Sequence, residues 1–239
     1  MTPVILSTQG LTRVFGGLTA VSDVDFELHQ GEVRALIGPN GAGKTTFVSM
    51  LIGRLEPTAG RITFNGRDVT DLPDFKRVAS GMAYTFQITS IFARLTVEEN
   101  VSLAARRRLK TDAAAVIAET RRALSEVGLE NRMEQIAGDL SYGHQRLVEI
   151  AMGLVQRPRL LILDEPTQGL AESEVAAFNA LVRSLKDETT ILLIEHNMSV
   201  VMAIADRVTV LNFGEVLAEG TPDEIHANPA VQAAYLGTG

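Results

Sequence analysis

Apolar and polar residues alternate with a period of two from Val4 to Phe15 and again from Val24 to Leu28, with Gly16-Gly17 between them. That pattern predicts two strands with one face buried and the other wet. Val33 to Ile37, Leu160-Leu161-Ile162-Leu163 and Thr190-Ile191-Leu192-Leu193-Ile194 are short runs rich in aliphatic residues; they predict strands covered on both faces. Thr46 to Leu55 reads as a helix. Pro57-Thr58-Ala59-Gly60 turns the chain into Arg61-Ile62-Thr63-Phe64, where Asn65-Gly66 is a hairpin signal. From Val97 to Gln156 the chain is Ala-rich and charged, with Gly128 and Gly138 as punctuation; it predicts helices. Glu172 to Leu185 predicts a helix between two of the buried strands, a βαβ unit. Arg207 to Glu219 predicts two strands hinged at Asn212-Phe213-Gly214, and Pro222 and Pro229 are placed to open short helices.

These elements describe an α/β chain with a helical subdomain inserted into a sheet-based one. At 239 residues, 46% hydrophobic and 21% charged, it has the balance of an ordinary globular protein. Without cysteine it has neither disulfides nor thiolate metal sites. A net charge of −7 argues against a nucleic-acid partner held through its phosphates. One basic run, Arg106-Arg107-Arg108-Leu109-Lys110, reads either as a solvated helix end or as a contact for anionic lipid headgroups or a partner. No segment approaches the roughly 18 apolar residues that span a bilayer, and Met1-Thr2-Pro3-Val4 lacks the features of a signal peptide. The expectation is a cytoplasmic product whose role at a membrane, if it has one, comes through another polypeptide.

The strand Val33 to Ile37 runs into Gly38-Pro39-Asn40-Gly41-Ala42-Gly43-Lys44-Thr45-Thr46. Strand, glycine loop and helix in that order make a phosphate cradle. Glycines let several backbone N–H groups point at one anion, and the helix adds its positive end. Lys44 supplies a mobile charge for the outer phosphates and Thr45 a hydroxyl for Mg²⁺. A second signal is Asp164-Glu165 after the apolar run Leu160 to Leu163, which sets two carboxyls at the C-terminal edge of a parallel strand, where α/β sheets bind ligands. Asp164 is placed to hold Mg²⁺ and Glu165 to polarise a water toward a γ-phosphate. The third signal is Leu140-Ser141-Tyr142-Gly143-His144-Gln145.

Phosphate loop, glutamine, L-S-x-G-x-Q element, apolar-Asp-Glu and a lone histidine follow one another as in ABC ATPases. The chain resembles the nucleotide-binding subunit of an ABC transporter over nearly its whole length. The resemblance implies a P-loop NTPase core of mixed and parallel sheet, an N-terminal antiparallel β subdomain and an inserted helical subdomain. The core would take about residues 1–87 and 158–239, and the helical subdomain 88–157 with the signature element. It implies ATP and Mg²⁺ as cofactors. Phe15 falls where such ATPases place an aromatic against adenine, although a strand-end core Phe fits the same pattern. Gln87 matches the glutamine that reaches the metal and the attacking water, and His196 the histidine at the γ-phosphate. His29, His144 and His226 match no role. Ser141 and Gly143 open a helix and form an anion site. In the family this site closes on the ATP held by Lys44 of a second subunit, so that two chains meet head to tail around two nucleotides.

Three positions depart from the pattern. Tyr142 replaces a glycine of L-S-G-G-Q, His144 replaces its glutamine when Ser141 and Gly143 are kept in register, and Ala171 stands where many relatives carry aspartate. Leu140-Ser141-Tyr142-Gly143 followed by Arg146 and Glu149-Ile150-Ala151 is similar to the ATPases of branched-chain amino acid importers. So are Phe15-Gly16-Gly17-Leu18-Thr19-Ala20-Val21, Leu95 to Val101 and Ile194-Glu195-His196-Asn197-Met198. Phe86-Gln87 is similar to the first of the two paralogous ATPases of such systems. The implied partners are multi-span membrane permease subunits, a second ATPase subunit and, indirectly, an extracytoplasmic solute-binding protein, with the chain at the cytoplasmic face of the membrane. Importers of urea or other amides, exporters, and soluble ABC proteins acting on ribosomes or DNA are the alternatives. The apolar stretch Ile88 to Leu95 reads either as packing under the helical lobe or as one wall of a groove for a short helix of the membrane subunit.

Overall fold

The computed structural model describes residues 2–85 and 90–236. Gln87, Phe86, Ile88 and Thr89 therefore lie outside the described residues. The chain opens with β1 (Val4–Phe15) and β2 (Leu18–His29), antiparallel and joined at Gly16-Gly17. β2 begins earlier than the expected Val24. A bulge with Asp23 at φ 51° breaks the period-two pattern, so the first half of the strand does not alternate. β4 (Ala59–Phe64) adds to β1, and β5 (Arg67–Asp68) closes the sheet after a turn in which Asn65 and Gly66 have φ of 50° and 71°. Two successive positive φ angles are what a tight type I′ hairpin needs.

The second sheet joins six strands in the order β10-β9-β3-β8-β7-β6. β3 (Val33–Ile37), β6 (Met82–Thr85), β7 (Leu160–Asp164), β8 (Thr190–Ile194) and β9 (Arg207–Asn212) run parallel. β10 (Glu215–Gly220) is antiparallel at the edge. The strand alternation divides the core. Leu160, Ile162, Leu192 and Ile194 face the first sheet and Phe47, Val48, Met50 and Leu51 of α1 (Lys44–Leu51). Leu161, Leu163, Ile191 and Leu193 face the helices on the other side. Both faces are covered, which is why these strands read as unbroken apolar runs.

α1 is shorter than the expected helix to Leu55. The Arg77 guanidinium donates to the carbonyls of Met50 and Leu51 at 2.7 Å each, and Gly53 turns at φ 78°. A charged cap from α2 (Asp74–Ala79) thus ends the helix. The helical insertion comprises α3 (Val97–Leu109), α4 (Ala113–Glu126) and α5 (Tyr142–Leu154), which pack Val101, Ala105, Val116, Leu124, Val148 and Ala151 together. α6 (Glu172–Leu185) takes the expected bounds between β7 and β8. After it come α7 (Met198–Ile204), α8 (Pro222–Ala227) and α9 (Pro229–Leu236), the last two opened by proline as the sequence predicts.

Candidate functional site

The C-terminal ends of β3 and β7 set the site. Beyond β3 the backbone closes on itself so tightly that only glycine fits at two positions. At Gly38, φ 153°, a Cβ would overlap the Leu211 carbonyl; at Gly43, φ 97°, it would lie 2.5 Å from the Ala20 carbonyl oxygen. Gly43 is the N-cap of α1 and makes no side-chain cap bond. The first amides of α1 thus open toward the loop, the arrangement that binds an anion. Lys44 curls back, its Nζ donating to the carbonyls of Gly38 at 2.6 Å and Pro39 at 3.1 Å. Burial lowers its pKa, while Glu165 and Asp164 act in the opposite sense.

Asn40, Gly41, Ala42, Gly43, Lys44, Thr45 and Thr46 line one cavity of about 450 Å³ together with Asp164 and Glu165. The phosphate loop and the carboxyl pair, more than a hundred residues apart in sequence, thus share one space. Burial raises the pKa of Asp164. Its Oδ2 accepts from the Tyr84 hydroxyl at 2.7 Å, and its backbone carbonyl accepts from buried Arg146 of α5. Burial, followed by the bond to Asp164, pushes the Tyr84 hydroxyl pKa well up. Glu165 sits in the left-handed region at φ 44°, its N–H bonded to the Ile194 carbonyl at 2.9 Å. A residue other than glycine held there marks a position that the surroundings over-determine. His196 Nδ1 is 3.7 Å from Glu165 Oε1.

Phe15 is exposed at the end of β1 with the Arg13 guanidinium 4.6 Å over its ring. It is not a core side chain, and it is absent from the cavity wall, to which Leu18 and Phe213 contribute. Ser141 and Gly143 are likewise outside this cavity, at the start of α5 in the helical insertion. Ser141 Oγ caps the helix by accepting from the His144 N–H at 3.3 Å and lies 2.8 Å from His144 Nδ1. A Cβ on Gly143 would collide with the Glu174 carboxyl, which itself accepts from the Ala171 N–H at 2.9 Å. Ala171 is the N-cap residue of α6, and this bond satisfies its backbone N–H. Gln87 falls outside the described residues, so its place in the site is not described.

Two residues of the site carry no motif in the sequence. Tyr84 is one. Glu195 is the other: it is fully buried between β8 and His196. Its Oε1 accepts from the N–H and hydroxyl of Thr167, and its Oε2 from the N–H groups of His196 and Asn197 at 3.0 Å each. It ties the loop after Glu165 to the loop that carries His196. In the sequence it stands only as a member of Ile194-Glu195-His196-Asn197-Met198, with no role attached to it.

The hard oxygen donors lining the cavity include the carboxyls of Asp164 and Glu165 and the hydroxyls of Thr45 and Thr46. Among the described residues no three His, Asp or Glu side chains gather into a metal cage. Hard oxygen donors that few in number suit Mg²⁺ carried in with a nucleotide's phosphates, where water and phosphate complete the shell. Among the described residues no helix is long and apolar enough to cross a membrane.

Comparison with known proteins agrees with this geometry. The family model "ABC transporter" matches residues 21–168, and "Branched-chain amino acid ATP-binding cassette transporter" matches residues 215–239. The chain is 42% identical to the high-affinity branched-chain amino acid transport ATP-binding protein BraF of Pseudomonas aeruginosa, with 98% of each chain covered. It is 43% identical to LivG of Salmonella typhimurium, a protein of the same description, with 99% of each covered. Among solved structures, the ADP conformation of MJ1267, an ATP-binding cassette of an ABC transporter, superposes with a TM-score of 0.90 at 27% identity, covering 99% of this chain and 100% of that one. A phosphate loop facing an Asp-Glu pair, carried on a fold and a sequence shared end to end with these proteins, places the chain in the ABC transporter family, among the ATP-binding proteins of branched-chain amino acid transport.

Proposed function

We propose that the chain hydrolyses MgATP to drive import of branched-chain amino acids. The observation that carries this reading is the single cavity in which Lys44 and the amides of its loop face Asp164 and Glu165. The loop amides and Lys44 bind the phosphates, and Thr45 and Asp164 hold Mg²⁺. When bound, the ion neutralises charge on the β- and γ-phosphates. Glu165 orients and polarises the attacking water. His196, 3.7 Å from Glu165, contacts the γ-phosphate, and Gln87 reaches the metal and the water. Phe15 covers the adenine.

Ser141 and Gly143 act on the nucleotide of a second ATPase subunit, a paralogue of this chain, in a head-to-tail dimer. The sheet-based lobe, about 1–87 with 158–239, holds the nucleotide, and the helical lobe, about 88–157, presents the signature element to the partner. Multi-span permease subunits dock in the groove between the lobes, at the cytoplasmic face of the membrane. Ile91 packs against the helical core, while Phe92 is exposed in the groove wall. The Phe92 backbone is pinned from both sides by buried Asn100, at 2.7 and 3.1 Å. Among the described residues of this stretch, Phe92 is therefore the large apolar side chain placed to meet the partner. A solute-binding protein outside the membrane delivers the cargo.

Tagged chain purified in mild detergent from its native membranes tests the assembly. Permease subunits and a second ATPase are expected to co-purify; ribosomal or DNA-associated partners without a membrane chain would overturn the transport reading. In the same material Glu165→Gln is expected to reduce ATP turnover by about a thousandfold or more. Turnover that survives this change would sink the role given to Glu165.

A further inference from the structure

Tyr84 belongs to two places at once. It stands on β6, opposite Ile162 of β7. Its side chain forms part of the wall of a groove of about 500 Å³, beside Phe92, Leu103, Ala104, Arg107 and Met152. Its hydroxyl reaches two residues along the register, to the C-terminal end of β7, and donates to Asp164 Oδ2 at 2.7 Å. A carboxyl at a strand end rotates about its terminal torsion unless a partner fixes it. A half-buried phenol on a rigid strand is such a partner, and hydrogen bonds of this kind set the orientation and affinity of metal-holding carboxyls. The same residue lines the groove, so an occupant of the groove would meet it.

We propose that Tyr84 is a positioning residue that holds the Asp164 carboxyl in its metal-holding orientation and carries the state of the groove wall to it. The proposal rests on the assignment of Asp164 to Mg²⁺. It gives the groove a route to the nucleotide site, through one side chain that borders both.

The test uses the full chain carrying Glu165→Gln to prevent turnover, with Mn²⁺ as the spin probe for the metal and ATP present throughout. Tyr84→Phe, which keeps the ring and removes one oxygen, is expected to weaken Mn²⁺ binding about tenfold. ATP affinity measured without divalent cation and the melting temperature should stay close to those of the parent. Equal or tighter Mn²⁺ binding overturns the proposal. Asp164→Asn separates it from the assignment beneath it: unchanged Mn²⁺ affinity in that variant removes Asp164 from the metal site. Weakened affinity there with none in Tyr84→Phe removes Tyr84 alone. For the groove, Leu103→Trp narrows its mouth and is expected to change Mn²⁺ affinity about threefold when Tyr84 is present and not in the Tyr84→Phe background. The same response in both backgrounds, or none in either, overturns the link to the groove.

Discussion

Glu195 shows how a residue without a motif can decide the geometry of residues that have one. It is fully buried, and its two oxygens accept four hydrogen bonds from neutral donors on two loops. Removing the carboxyl leaves three backbone N–H groups and one hydroxyl without their acceptor, in a space too tight for easy rehydration. Each such group costs on the order of 1–3 kcal/mol. Glu195→Ala is therefore expected to lower unfolding stability by about 3 kcal/mol, read from urea denaturation. Glu195→Gln should fall between, because an amide keeps one accepting oxygen and turns a donor toward the other loop. Turnover should follow the same order, with kcat reduced about tenfold or more and KM for ATP nearly unchanged, since His196 and Thr167 shift while the phosphate loop does not. Wild-type stability in Glu195→Ala would show that water replaces the four bonds at no cost.

Among the elements, the helical insertion is fastened by one carboxyl. Glu119 of α4 takes a two-pronged contact from Arg157, Nη2 at 2.6 Å and Nε at 2.8 Å, just beyond α5. Arg122 of its own helix adds a contact at 3.1 Å, and Arg108 at the end of α3 one at 3.3 Å. Part of the basic run thus has partners within the chain: Arg108 pairs with Glu119 inside the helical insertion, and Arg107 reaches out of it to the Phe75 carbonyl of α2 at 2.6 Å. The Arg157 and Arg122 contacts hold the Glu119 pKa down to about 2. A carboxyl whose pKa is depressed on folding stabilises the fold above its unfolded value of about 4.3, and this contribution fades as pH falls toward the folded value. Glu119→Gln is expected to melt earlier than wild type at pH 7, and the gap should close on approach to pH 2 and shrink in high salt. A gap independent of pH would mean the side chain acts by packing alone. The same contacts explain what could be read from the sequence. Val33–Ile37, Glu172–Leu185 and the proline-opened helices are written in local pattern and local caps, and the phosphate loop is a local backbone conformation. The end of α1 is not, because Arg77 sets it from another helix. β6 was invisible because four residues of mixed character become a strand only by pairing with β7. Within the site, the motif residues were legible, whereas Tyr84 and Glu195 act through partners 80 and 28 residues away.

At the scale of the molecule, the proposed head-to-tail dimer has each chain supply half of each of two sites. Lys44, Asp164 and Glu165 share a cavity whose rim carries Leu18 at 68% and Phe213 at 85% exposure, while Ser141 caps α5 in the other lobe. Exposed apolar side chains at the mouth of a polar site are what a second subunit would cover. Charge opposes that association. Where two copies of this chain meet, each carries −7 and ATP adds more negative charge at the contact, so the two bodies are like-charged. In the proposed dimer the attraction that would overcome this is local: a helix N-terminus and a serine hydroxyl on one subunit would meet the γ-phosphate on the other. It acts at short range and is screened less than the long-range repulsion. Glu165→Gln with ATP is therefore expected to sediment as a dimer, alone or with its paralogous ATPase, and the dimer should strengthen as salt is raised from low to physiological levels. ADP in place of ATP should return the monomer. Ser141→Arg, a change at an exposed cap on the far lobe, should abolish dimerisation while leaving ATP binding to the single chain intact. A variant that dimerises as before would remove Ser141 from the interface. A Glu165→Gln protein that stays monomeric with ATP at every salt concentration, with and without the paralogue, would show that one chain completes its site by itself.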